Sequence, residues 1–88
     1  MEVRGLILWA MKGTLTGAWR GGSRDGLAGW RITFAFDQDV IDALKRTIPP
    51  DCREWNEEGK YWWVALEYEH LLVMLFPNFE AYRAQGSL

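Results

Sequence analysis

The sequence predicts an α+β domain in which an antiparallel sheet of about five strands carries two helices on one face, in the order β-β-β-α-β-β-α. Three features point there. Residues 30–36 alternate, with Trp30, Ile32, Phe34 and Phe36 on one side and Arg31, Thr33 and Ala35 on the other, as a half-buried strand requires. Two stretches with helical apolar spacing, Val40, Ile41, Leu44 and Ile48, then Tyr68, Leu71, Leu72 and Leu75, are each stopped by proline. Between them lie two aromatic runs separated by Asn56-Glu57-Glu58-Gly59-Lys60, whose Asn and Gly suit a hairpin loop.

In chain order, residues 3–11 read as a strand rich in Val, Leu, Ile and Trp. Lys12-Gly13 is a turn signal before a weaker strand at 14–19, so the first two elements should form a hairpin. Residues 20–29, RGGSRDGLAG, hold four of the nine glycines and are expected to be a mobile loop carrying Arg20 and Arg24. The strand at 30–36 follows. Asp37 or Asp39 can cap the first helix, because a short carboxylate satisfies open amides of the first turn and suits the positive end of the dipole. Pro49-Pro50 ends it, since the residue before a proline avoids helical angles. Strands at 52–55 and 61–66 flank the hairpin loop, a second helix spans about 67–76, and Pro77 stops that helix. The tail 78–88 reads either way, with Phe79 and Tyr82 able to pack back.

Eighty-eight residues suffice for one core, so residues 1–88 are read as a single domain. The 49% hydrophobic and 25% charged fractions exclude a disordered chain, and no apolar run approaches a membrane span. Cys52 is the only cysteine and the start of the chain lacks the features of a secretory signal, so a reducing, cytoplasmic setting is expected. The formal charge of −2 conceals a division. Up to Phe36, Arg4, Lys12, Arg20, Arg24 and Arg31 against Glu2 and Asp25 give +3, which leaves −5 for the remainder.

Catalytic signatures are lacking. His70 is the only histidine, no nucleophile motif surrounds a Ser, Cys or Asp, and the Gly21–Gly26 run lacks the GK[ST] ending of a phosphate loop. Glu67 and Glu69 point in different directions from a helix, and Glu54, Glu57 and Glu58 do not space as a metal loop. The expectation is a non-enzymatic module without cofactor or metal.

Phe36-Asp37, Val40-Ile41, Ala43-Leu44-Lys45, the proline at the helix end, the run Arg53-Glu54-Trp55-Asn56-Glu57-Glu58-Gly59-Lys60-Tyr61-Trp62, and Tyr68 with Leu71-Leu72 together resemble the HARP domain. The resemblance covers about residues 30–75. HARP domains accompany the motor of Swi/Snf-type annealing helicases, so the resemblance implies recognition of forked or single-stranded DNA junctions. Phe36, Leu44, Trp55, Trp62 and Leu72 also have a plain role as core residues.

Six of the thirteen aromatic residues are tryptophan, and face assignment divides them. If Trp62, Val64 and Leu66 face the helices, Tyr61, Trp63 and Ala65 face away, on the side of Arg31 and Thr33. Trp30, Trp55 and Trp62 become core residues, Trp9 and Trp19 stay unassigned, and Trp63 should lie open. An open sheet face with Arg31, Tyr61 and Trp63, extended by Lys12, Arg20 and Arg24, would stack unpaired bases and bind phosphates. The alternative is a protein partner or a homodimer on the same residues, because interface cores favour Trp, Tyr and Arg; in a third reading, residues 77–88 or the N-terminal hairpin fold over this face and bury it.

Overall fold

The computed structural model describes residues 13–86. Four strands among them form one antiparallel sheet: β1 (Leu15–Gly22), β2 (Ala28–Phe34), β3 (Arg53–Asn56) and β4 (Tyr61–Ala65), in the spatial order β1-β2-β4-β3. Three helices accompany it: α1 (Gln38–Thr47), α2 (Glu69–Leu75) and α3 (Phe79–Gly86), with short 3-10 turns at Pro50–Cys52 and Leu66–Tyr68. The α+β class and antiparallel sheet are as the sequence predicts. The expected strand at 3–11 lies outside the described residues, and the ambiguous tail is a third helix.

The core lies on one face of the sheet. Alternation aims Trp30 and Ile32 of β2 and Val64 of β4 at Val40, Leu44 and Ile48 around α1, Leu72 and Phe76 around α2, and Phe79 of α3. Fully burying each of the larger apolar side chains contributes roughly 1.5–3 kcal/mol. Trp30 meets Phe79 edge-on at 4.9 Å, and its Nε1–H donates to Glu69 Oε1 at 2.8 Å. Leu15 joins the core through a bulge. The β1–β2 register slips between Leu15 and Gly17, so Thr16 is supernumerary and Leu15 lies opposite Phe34 on the helical side. Asn78 then holds Leu15 as a strand would, accepting from its N–H at 3.0 Å and donating to its carbonyl at 2.9 Å.

Helix α1 begins where Asp37 Oδ1 accepts from the amides of Asp39 at 3.0 Å and Val40 at 3.4 Å. Lys45 and Arg46 complement its C-terminal dipole, and Ile48 is already extended before Pro49-Pro50. The β3–β4 turn closes through Asn56, whose Oδ1 accepts from Gly59 N–H and whose carbonyl accepts from Lys60 N–H at 2.7 Å. Lys60 itself takes the left-handed conformation, with φ of 57°.

Two expectations need correction. Residues 20–29 are not a loop: β1 runs to Gly22 and β2 starts at Ala28, with Gly21 opposite Gly29 and Gly22 opposite Ala28. Only residues 23–27 connect them, closed by Ser23 N–H to Leu27 O, Gly26 N–H to Ser23 O and Leu27 N–H to Ser23 Oγ, with Gly26 at φ of 83°. A glycine-rich composition is compatible with strand because Gly21 and Gly29 sit where the Arg31 and Trp63 side chains approach. Phe36 and Trp55 are also not core residues. β2 ends at Phe34, the chain turns into the Asp37 cap, and Phe36 is left 79% exposed, while Trp55 on the short strand β3 is 38% exposed.

Candidate nucleic-acid interface

The sheet face opposite the helices carries one residue from each strand in a single row: Trp19, Arg31, Trp63 and Glu54. The sequence therefore predicts the facing of Trp63 and Arg31 correctly. It does not predict that Trp63 is buried, at 1% exposure, separate from the main core. The β1–β2 hairpin curls across this face. Gly21 lends its carbonyl to Trp63 Nε1–H at 3.2 Å, and Gly29 leaves room for the indole, since a Cβ there would stand 2.3 Å from Trp63 Nε1. The connecting loop is tied to β3 beyond: Arg24 N–H donates to Glu54 Oε1 at 3.1 Å, and Arg24 Nη2 donates to the Trp55 carbonyl at 3.0 Å.

What remains open is a recess of about 170 Å³ lined by Gly22, Ser23, Arg24, Arg31, Glu54, Asn56, Tyr61 and Trp63. Four of the six sequence-predicted residues, Arg24, Arg31, Tyr61 and Trp63, thus meet around one site. Arg31 lies 5.0 Å over the Tyr61 ring, and its Nε and Nη2 both donate to the Gly22 carbonyl. A guanidinium has five N–H donors, so both arginines keep donors beyond these bonds. Two cations against the single carboxylate of Glu54 leave the lining positive. Trp19, which the sequence left unassigned, is 42% exposed and meets the half-buried Tyr61 edge-on at 5.9 Å.

The other two predicted residues are not brought in. Lys12 lies outside the described residues, and so does Trp9. Arg20 projects to the helical face, where its guanidinium lies 5.7 Å from the Trp30 ring, because it pairs with Trp30 and shares its facing.

Sequence reasoning missed a second surface on the helical side. Phe36, Gln38, Ile41, Lys45, Trp55 and Trp62 line a cleft of about 330 Å³ between α1 and the β3–β4 hairpin. An adjoining recess of about 180 Å³ shares Phe36, Ile41, Trp55 and Trp62 and adds Lys60. The Trp55 and Trp62 rings lie 5.5 Å apart with planes inclined at 51°. Trp55 Nε1–H donates to Glu57 Oε1 at 2.8 Å, and Lys60 pairs with the other Glu57 oxygen. The Lys60 bond, then the indole bond, holds the Glu57 carboxyl below its ordinary range. The exposed aromatics were visible in the sequence, but their alternation matched that of a core strand.

No group of three or more His, Cys, Asp or Glu among the described residues could hold a metal ion. No helix among them is long and apolar enough to cross a membrane. Burial, then the nearby Asp51 and Glu67 carboxylates, pushes the Cys52 thiol up, opposite to the shift a nucleophilic thiolate needs. No family model, curated protein or solved structure matches this chain, so the resemblance to the HARP domain rests on the residues that carry it.

Proposed function

We propose that the domain is a non-catalytic nucleic-acid-binding module for single-stranded or forked DNA, working through the sheet face opposite its helices. The observation that carries this reading is the convergence of Arg24, Arg31 and Tyr61 on one recess beside the exposed Trp19. The arginines take a backbone phosphate as charge-assisted bonds. Trp19 and the edge of Tyr61 take the neighbouring unpaired base, a stacking contact of about 1–3 kcal/mol. Trp63 has a different part from the one its sequence position suggests: it is the packed floor that fixes Arg31 and the hairpin, not a stacking ring. The resemblance to HARP domains supports the same partner.

Anisotropy of labelled oligothymidylate, forked and duplex DNA at low salt tests this. Single-stranded and forked probes should bind ahead of duplex, and Arg24→Ala should lower the salt slope by roughly 0.7 for a single strand. Trp19→Ala should weaken binding of the unpaired probe. Trp63→Phe removes the indole bond to Gly21 but no stacking ring, so it should weaken the unpaired probe less than Trp19→Ala does. Absence of binding at low salt, or binding indifferent to Arg24 and Trp19, would sink the reading. A protein-interaction role on this same face loses its anchor with Trp63 buried; the observation that favours a protein partner lies on the other side of the sheet.

A further inference from the structure

We infer that the cleft between α1 and the β3–β4 hairpin docks an acidic, apolar peptide segment of a partner protein. Such a segment would seat a large side chain against Phe36, Ile41 and Trp62 and set a carboxylate against Lys45. The site is distinct from the recess on the opposite face, so either can fail without the other.

The cleft is apolar at its floor, and Lys45 is the cation of its rim that has no ion pair among the described residues. Phe36 stands 79% exposed at the mouth and continues into Trp55 and Trp62 as one apolar patch, not a lone exposed ring. Among the described residues no carboxylate lines either recess of the cleft, whereas Lys45 and Lys60 do; Asp42 and Glu57 stand behind the lining, held by Gln38 and the Trp55 indole. Lys60 is engaged with Glu57, and Lys45 makes no ion pair among the described residues. Charge complementarity therefore rests on Lys45, which selects a partner with a carboxylate placed beside the apolar floor.

Two other negative or apolar occupants fit less well. Unpaired bases want a flat platform, but the Trp55 and Trp62 planes diverge by 51° and the remaining lining includes Ile32 and Ile41. A second copy seated across a two-fold axis would set the lysines of one cleft against those of the other. A peptide that alternates apolar and acidic residues meets both the floor and the rim.

The test is an amide and indole NMR titration of the full chain with three short peptides. The first combines Leu and Phe with Asp and Glu, the second keeps the apolar residues but carries Lys for the acids, and the third keeps the acids but has Ser for the apolar residues. The first should shift Ile41, Lys45 and the Trp55 and Trp62 indoles, and bind about tenfold tighter than either control, a difference of about 1.4 kcal/mol. Lys45→Glu should reverse the preference towards the lysine peptide, and Phe36→Ser should weaken the first peptide. Both residues are exposed, so a retained amide spectrum confirms that each variant folds. Equal binding of the acidic and lysine peptides, or no shifts at the cleft, overturns the inference. So does displacement of the peptide by oligothymidylate at the same signals, which would assign the cleft to nucleic acid. Concentration-dependent self-association abolished by Phe36→Ser would likewise overturn it, in favour of a second copy.

Discussion

Gly29→Ala is the most direct probe of whether the β1–β2 hairpin closes over the sheet. A Cβ at Gly29 would stand 2.3 Å from Trp63 Nε1, 2.7 Å from Trp63 Cε2 and 2.3 Å from the Val64 carbonyl oxygen. Each of the 2.3 Å approaches is roughly 1 Å short of ordinary contact. The indole is 1% exposed and bonded to the Gly21 carbonyl, so it cannot swing aside without releasing the hairpin. The Val64 carbonyl belongs to the β2–β4 pairing and cannot move independently either. Overpacking of this kind costs about 1–3 kcal/mol. Loss of the Trp63 bond adds about 0.5–1.5 kcal/mol, giving about 2–4 kcal/mol in all. For a domain of this size each kcal/mol moves Tm by about 4–8 °C, so a fall of about 8–32 °C is expected.

Urea unfolding followed by fluorescence and far-ultraviolet dichroism gives the free energy, with Gly22→Ala as the control. A Cβ at Gly22 would meet nothing closer than 3.5 Å, so that variant should stay within about 0.5 kcal/mol of the parent. Trp63→Leu combined with Gly29→Ala should recover only part of the loss, because the clash with the Val64 carbonyl survives removal of the ring. If Gly29→Ala proves as stable as Gly22→Ala, Trp63 is not packed beneath the hairpin. The open aromatic face that the sequence predicts would then be restored.

Asp37→Ala removes the α1 cap and should cost about 1 kcal/mol in the same urea assay. Asn78→Ala strips the acceptor of the Leu15 amide and leaves its carbonyl only the longer Tyr82 hydroxyl bond, at about 1–3 kcal/mol, and should speed hydrogen exchange at the Leu15 amide more than elsewhere in β1. The bond from Trp30 Nε1–H, then the contacts of Arg83, hold the Glu69 carboxyl below its ordinary value of 4.5. A depressed carboxylate adds stability that is present above that value and is lost as pH falls through the lower folded one. Urea midpoints should therefore drop on acidification below about pH 4.5, and Glu69→Gln should flatten part of that drop; an unchanged acid limb would show the Trp30 bond to be absent.

Local rules made much of this fold legible. Alternation across Trp30, Ile32 and Phe34, the Asp37 cap and the Pro49-Pro50 stop each follow from short-range sterics and hydrogen bonding. The β3–β4 hairpin follows as well from Asn56 and Gly59; what failed were inferences about where pairing starts and stops in β1 and β2. Alternation continues to Phe36 in the sequence, but among the described residues pairing ends at Phe34. Four small residues, Gly21, Gly22, Ala28 and Gly29, flank the Ser23–Leu27 turn symmetrically, and that symmetry is a hairpin signal hidden under a loop-like composition. It also identifies the gap that Trp63 fills, although only the β2–β4 register shows that Trp63 reaches it. The site residues were legible as a set because parity alone puts Arg31, Tyr61 and Trp63 on one face; their separation into floor and rim was not.

The position of Arg20 limits how the recess can work. Of the arginines at 20, 24 and 31, only the latter two serve the outer face, and Glu54 offsets part of their charge. Two phosphate contacts correspond to a salt slope of about −1.4 on single strands, too shallow for tight non-specific binding. Discrimination would then come from Trp19 and Tyr61, which can reach a base only where it is unpaired, so a junction is favoured over duplex by stacking and not by charge. A measured slope much steeper than about −2 would mean that cations beyond Arg24 and Arg31 join the interface. Arg4 and Lys12, in the basic part of the chain before the described residues, would be the first to test, since removing a true phosphate contact lowers the slope whereas removing a remote charge does not.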